Sequence, residues 1–187
     1  MNFCSECGAR TERRIPEGDN RERDVCGTCV TIFYSNPKNV CGCILEHDGK
    51  VLLCKRAIEP RYGKWTVPAG FMENNETTAE GAAREAQEEA HAYSNDLQLY
   101  ALYSLPRISQ VYIMYRGTLR DGIATAGVES LEVGLFGESE IPWDELAFPV
   151  VVESLQRYFE DRQSGHFKIH RADIHSRPGN AIQIVRY

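Results

Sequence analysis

Apolar positions change period along the chain, and the changes mark its elements. Residues 39–46 and 50–56 (KVLLCKR) are short runs of β-branched and aliphatic side chains, which predict two strands. His47-Asp48-Gly49 between them has the composition of a hairpin turn, so His47 reads as a turn residue and not as a ligand. Residues 97–105 and 110–119 predict a second strand pair, and 131–136 a shorter strand. Over 148–161 (FPVVVESLQRYFED) the apolar residues recur at helical spacing, which predicts an amphipathic helix. Over 77–92 (TTAEGAAREAQEEAHA) Ala79, Ala82, Ala83, Ala86 and Ala90 form one narrow stripe at 100° per residue. Thr77 and Glu80 make the S/T-x-x-E capping box that starts such a helix. A stripe of alanine alone lets this helix approach a sheet closely.

The organisation expected is a small module over residues 1–36, one α/β domain over 37–163 and a C-terminal tail over 164–187. The tail carries Lys168, Arg171, Arg177 and Arg186 against Asp173. Its pattern leaves an extra strand, a partner contact and partial disorder all open. There is no internal repeat or low-complexity segment.

Composition narrows the class. A 187-residue chain with 42% hydrophobic and 10% aromatic residues can bury a packed core. A formal charge of −6 argues against a generic binder of nucleic acid or anionic membrane. No stretch approaches the roughly 20 apolar residues of a membrane span. The opening MNFCSECGARTERR lacks the apolar core of a signal peptide. Seven cysteines in spacings unlike a disulfide framework make a reducing, cytoplasmic location the expectation.

Four of those cysteines form two knuckles. Cys4-x-x-Cys7 and Cys26-x-x-Cys29, separated by 18 residues, have the spacing of a four-cysteine structural zinc site. A two-residue gap lets both thiolates of a knuckle reach one Zn²⁺ at about 2.3 Å, and two knuckles complete a tetrahedron. The segment between them is too polar to build a core, so the metal would supply much of its folding free energy. Arg13, Arg14, Arg21 and Arg23 could serve a nucleic-acid contact. Five interspersed acids (Glu6, Glu12, Glu17, Asp19, Glu22) favour instead a structural ribbon that packs on the main domain or assists dimerisation. Cys41, Cys43 and Cys54 lie in strand-like runs and read as small buried hydrophobes.

The helix at 77–92 carries the candidate chemistry. Glu85, Glu88 and Glu89 share one arc of roughly 100° beside the alanine stripe. Arg84 can pair with Glu88 at i+4, which leaves two carboxylates uncompensated. Mg²⁺ or Mn²⁺, which prefer carboxylate oxygen, would remove that repulsion. Without further context, such a cluster is more often a solvated face.

The context is specific. Read from Gly70, the segment GFMENNETTAEGAAREAQEEAHA resembles the Nudix box, G-x5-E-x7-R-E-U-x-E-E-x-G-U, in which U is a bulky aliphatic residue. Gly70, Glu76, Arg84, Glu85, Glu88 and Glu89 match at the required spacings. His91 stands for the box glycine, and Ala86 and Ala92 for the bulky aliphatics. The resemblance implies a Nudix hydrolase: an α/β/α sandwich around a mixed sheet, acting on nucleoside diphosphates linked to another group. It further implies that Glu85, Glu88 and Glu89 bind Mg²⁺ (or Mn²⁺), and that Glu76 pairs with Arg84 or joins the metal shell. Two metals about 3.5–4 Å apart can stabilise the attacking and leaving oxygens together. Gly70 and Arg56 are the expected substrate contacts, although Arg56 also reads as a surface arginine at a strand end. The general base is left open among Glu129, Glu132 and a box glutamate such as Glu88 or Glu89, with Glu129 preferred.

A zinc ribbon ahead of a Nudix domain narrows the substrate. NADH pyrophosphatases, which also act on NAD-capped RNA, carry an SQPWPFP-type motif after the box, where this chain has LYSLPRISQVY. The stretches IPEGDNRERDVCGTC, NPKNVCGCILEHDGKVLLCKR, GKWTVPAGFME and ESLEVGLFGESEIPWDELAF are similar to the bacterial and plant zinc-ribbon group that hydrolyses FAD and ADP-ribose. The expectation is release of AMP from FAD or ADP-ribose, with Tyr62, Tyr103 and Tyr112 as candidates for stacking on adenine. The alternatives are an NADH or NAD-cap pyrophosphatase and a non-catalytic regulator that senses ADP-ribose. Many ADP-ribose-type members are homodimers, which makes a homodimer the candidate assembly.

Overall fold

Polar residues dominate the first positions of the chain, and the backbone there forms only short elements. The computed structural model describes residues 1–176 and 181–187 and divides the chain into two units, Met1–Pro37 and Lys38–Tyr187. Arg177 of the basic tail lies outside the described residues. In the first unit β1 (Thr11–Arg14), β2 (Arg23–Cys26) and β3 (Ile32–Phe33) form an antiparallel sheet in that order. Cys4, Val25 and Cys26 are among its few buried side chains, too little for a hydrophobic core.

What gathers this unit is its sulfur. The Sγ atoms of Cys4, Cys7, Cys26 and Cys29 all lie within 4.8 Å of one another. Cys7 to Cys26 is 3.4 Å, and Cys4 to Cys29 and Cys7 to Cys29 are 3.5 Å. These separations exceed a disulfide bond and approach the roughly 3.8 Å edge of a tetrahedron with 2.3 Å metal–sulfur bonds. The Glu6 amide donates to the Cys4 sulfur, and the Thr28 and Cys29 amides donate to the Cys26 sulfur, as knuckle turns do around thiolates. Two of the ribbon arginines are engaged locally. Arg23 pairs with Asp19 at 2.9 Å and lies over the Tyr34 ring, and Arg13 pairs with Glu22.

The second unit is built on one mixed sheet. Its strands are β4 (Lys38–His47), β5 (Lys50–Arg56), β6 (Trp65–Thr66), β7 (Ala69–Phe71), β8 (Gln98–Leu105), β9 (Gln110–Thr118), β10 (Ser130–Phe136), β11 (His170–Ser176) and β12 (Ile182–Arg186). The order is β10-β5-β4-β9-β8-β11-β12, with β6 beside β5 and β7 beside β4. β4–β9 and β8–β11 run parallel, and the other pairs antiparallel. Both central residues of the β4–β5 turn, Asp48 (φ 49°) and Gly49 (φ 76°), are left-handed, as a two-residue hairpin turn requires. His47 is the last residue of β4, paired with Lys50. The stretch after residue 164, which the sequence left open, supplies β11 and β12.

Two helices cover the sheet from opposite faces. α1 (Thr78–Ala90) sets Ala82, Ala86 and Ala90 against Cys41, Cys43, Leu45, Leu52 and Cys54. α2 (Pro149–Ser164) sets Val150, Val151, Leu155, Tyr158 and Phe159 against Ile44, Val51, Leu53, Tyr100 and Met114. The result is an α/β/α sandwich. α1 starts where the sequence predicts: the Glu80 amide donates to Thr77 Oγ1 at 3.2 Å and the Thr77 amide to Glu80 Oε2 at 2.7 Å. It ends at His91, which takes the left-handed cap (φ 46°, ψ 31°) that glycine usually fills. Histidine is among the residues that tolerate this region.

Candidate functional site

The acidic arc of α1 is organised by one arginine. Arg84 Nε and Nη2 donate to Glu76 at 3.0 and 2.9 Å, and Nη1 donates to Glu85 at 2.7 Å and Glu88 at 2.9 Å. A second bond from Nη2 reaches the Phe71 carbonyl at 3.1 Å. All five guanidinium donors are thus committed inside the site. The Arg84 hydrogen bonds, helped by the Glu73 amide at 2.7 Å, hold the Glu76 carboxyl down at about 2. Glu88 is half exposed, whereas Glu85 and Glu89 are buried.

Glu89 lies beyond the reach of Arg84. Burial, with the Glu85 and Glu129 charges added, pushes its carboxyl up to about 8, against partial relief from the Ala69 amide and the Arg56 charge. Its Oε2 is buried and has no hydrogen-bond partner among the described residues. Glu85 is raised too, chiefly by burial. A buried carboxyl oxygen with no protein donor has the chemistry of a ligand for a hard cation. The box carboxylates therefore fit a divalent metal chemically. Among the described residues, however, the cysteine quartet is the one set of three or more ligating atoms within 4.8 Å of one another. Arg84 draws Glu85 and Glu88 to itself instead.

The strand ends complete the arrangement. A Cβ on Gly70 would fall 2.3–2.4 Å from the Glu85 carboxylate atoms, so β7 leaves the space this carboxylate fills. Arg56 is buried, which removes the surface reading. Its Nε donates to the Pro60 carbonyl at 3.0 Å and its guanidinium stacks over Phe148 at 5.2 Å. Arg56 is also in register with Ser130 of β10, and the Ala57 amide donates to the Glu129 carbonyl at 2.8 Å. Glu129 is thus tied to the end of β5 through its backbone, and the charge of its exposed side chain adds to the raising of both Glu85 and Glu89. Glu132 is turned to Lys55 at 3.5 Å on the surface. Of the three tyrosines, Tyr103 is buried in the α2-side core, Tyr62 is exposed, and Tyr112 lies near Arg56. Phe148 went unnoticed in the sequence, where it looked like one more apolar residue of α2, and of the loop before β10 only Glu129 was singled out.

Two family models match the chain: one described as Nudix N-terminal over residues 2–35, and one described as NUDIX domain over residues 35–150. The chain belongs to the Nudix family. A crystal structure of a NUDIX hydrolase from Nitrosomonas europaea superposes with a TM-score of 0.90 at 56% identity, covering 94% of this chain and 99% of that one. An ADP-ribose pyrophosphatase of Methanocaldococcus jannaschii is 32% identical over 120 residues, 62% of this chain and 70% of the relative. The NAD-capped RNA hydrolase NudC of Vibrio atlanticus is 36% identical over 94 residues, 48% of this chain, and the match spans about a third of that relative's length. This Nudix hydrolase carries the N-terminal zinc-ribbon module of its family, and no helix among its described residues is long and apolar enough to cross a membrane.

Proposed function

We propose that this Nudix hydrolase cleaves the pyrophosphate of ADP-ribose or FAD and releases AMP. The observation that carries the reading is Glu89: buried, short of a partner at Oε2, and flanked by Glu85, Glu129 and Arg56. Mg²⁺ or Mn²⁺ held by Glu85, Glu88 and Glu89 would supply the positive charge that the anionic substrate and its leaving oxygen need. Glu76 belongs to this shell through Arg84, which it fixes. Glu129 takes the proton of the attacking water, and Arg56 contacts a phosphate oxygen. Gly70 keeps β7 clear of the Glu85 carboxylate. The cysteine quartet holds structural Zn²⁺. The partner is a small nucleotide in an enzyme of the cytoplasm, acting as a homodimer, with no membrane or nucleic acid required.

The likeness to the Methanocaldococcus relative favours ADP-ribose. The likeness to the Vibrio relative supports a second reading, NADH or the NAD cap of RNA. A panel of ADP-ribose, FAD, NADH and NAD-capped RNA with Mg²⁺ or Mn²⁺ and product identification separates them. Metal-dependent AMP release from ADP-ribose or FAD is the expected result. Tight ADP-ribose binding without turnover of any member would replace the enzyme with a sensor.

A further inference from the structure

The loop before β10 is fastened to the last turn of α1. A helix leaves its final carbonyls without intrahelical partners. Here the His91 and Ala92 amides take the Gln87 and Ala86 carbonyls at 3.0 and 3.1 Å. The next open carbonyls are taken from outside the helix: the Gly127 amide donates to Glu89 O at 3.0 Å and the Thr125 amide to Ala90 O at 2.8 Å. A Cβ on residue 127 would fall 1.7 Å from the Glu88 carbonyl oxygen and 2.8 Å from its carbon. Those are backbone atoms of a capped helix, so only glycine lets the loop come this close. The loop continues at once into the site. The Ser130 amide donates back to Gly127 O at 3.1 Å, and Glu129 O accepts from Ala57 beside Arg56. Val128 between them is almost fully exposed, so packing of its own side chain does not hold the loop.

We propose that Gly127 is a positioning residue, which docks its loop on the Glu88–Ala90 turn and thereby fixes the Glu129 carboxylate against Glu85 and Glu89. The inference rests on the reading of this site as hydrolytic with Glu129 active in it. The base and the box carboxylates are then placed by one clamp, and their spacing does not depend on a free loop.

The test is a double-mutant cycle in the full chain with the panel substrate it hydrolyses. Gly127→Ala should lower kcat at least tenfold while KM and Mn²⁺ affinity stay within about threefold, because the Cβ displaces the loop and not the box. Glu129→Gln should lower kcat by at least the same factor, and the double variant should be no slower than Glu129→Gln within about twofold. Val128→Gly, which removes only an exposed side chain and loosens the tether, should fold normally and lose about two- to fivefold in kcat. It decides the matter if Gly127→Ala fails to fold. Wild-type kcat in Gly127→Ala, or in Val128→Gly where Gly127→Ala does not fold, overturns the inference. So do additive losses in the cycle, wild-type kcat in Glu129→Gln, or loss of Mn²⁺ affinity in Gly127→Ala. Amide hydrogen exchange reads the clamp without turnover. Slow exchange at Thr125 and Gly127 is expected in the wild type even if no panel nucleotide is hydrolysed, so that result would sink the hydrolytic reading alone, and fast exchange would sink the clamp.

Discussion

Replacing Glu89 with Gln should make the metal-free protein more stable and the enzyme nearly inactive. The carboxyl is held at about 8 in the fold against 4.5 for an unperturbed glutamate, chiefly by burial. The sign follows from linkage. A carboxyl raised on folding costs nothing below its unfolded value, and it destabilises the fold increasingly as pH climbs from about 4.5 to about 8. At 1.36 kcal/mol per pH unit, the cost accumulated by pH 7 is about 3 kcal/mol. Glutamine keeps the shape and cannot ionise, so Glu89→Gln should recover a cost of that order. The assay is urea unfolding in EDTA across pH 4.5 to 9. The two proteins should match at the acid end, and the variant should lead by about 3 kcal/mol near pH 7. Turnover with Mg²⁺ or Mn²⁺ should fall about a hundredfold or more, the scale for losing one fixed electrostatic contact to the reacting charge. A variant less stable than wild type in EDTA, a difference that does not change with pH, or activity close to wild type would refute the reasoning.

Arg84→Lys keeps the charge but cannot serve Glu76, Glu85, Glu88 and the Phe71 carbonyl at once, so unfolding in EDTA should show a loss of about 1–2 kcal/mol; an unchanged midpoint would dismiss the guanidinium as organiser. Arg186→Ala strips the almost fully buried Glu153 of two 2.7 Å bonds. Because Arg186 is half exposed the cost should be about 2 kcal/mol, and a neutral variant would mean that β12 is not anchored on α2. Metal analysis should find about one Zn²⁺ per chain, lost in Cys26→Ser together with amide protection in residues 1–37; a metal-free but ordered N-terminal unit would refute the ribbon.

The limits of α1 were legible because each is set by adjacent residues. Thr77 and Glu80 close a local box, and the alanine stripe needs only the helical period to be seen. The β4–β5 hairpin was legible for the same reason, since Asp48 and Gly49 fix their turn without help from elsewhere. β11 and β12 were not: they pair with each other locally, but what fixes the pair to the domain is distant. β11 lies parallel to β8, and β12 is tied down through Arg186 to a carboxylate on α2. The site divides along the same line. The box spacing placed Glu85, Glu88 and Glu89 on one helix arc, with Arg84 beside them and Glu76 just before the helix. That Glu85 and Glu89 are buried while Glu88 is not depends on how closely β7 passes at Gly70, and no spacing reveals that. Arg56 left a substrate contact and a surface position both open for a related reason. A strand-end arginine is ordinarily solvated, and only the return of Phe148 over its guanidinium buries it.

The two arginines near the site cannot exchange roles, and this bears on the charge of the whole chain. Residues 70–92 hold six acids and one arginine, −5 of the chain's −6. Arg84, the one compensating charge, spends four donors on those acids and the fifth on the Phe71 carbonyl, so it has none left for a phosphate. It neutralises Glu76 most strongly and reaches Glu85 and Glu88, and it leaves Glu89 outside. Arg56 commits only its Nε among the described residues, and its other nitrogens are the ones proposed to meet a phosphate. One free guanidinium cannot offset a pyrophosphate arriving against several carboxylates. On the proposed function, the charge that draws the substrate in would come from cations bound to those carboxylates, and Glu89, the acid that Arg84 fails to reach, is where that demand is greatest.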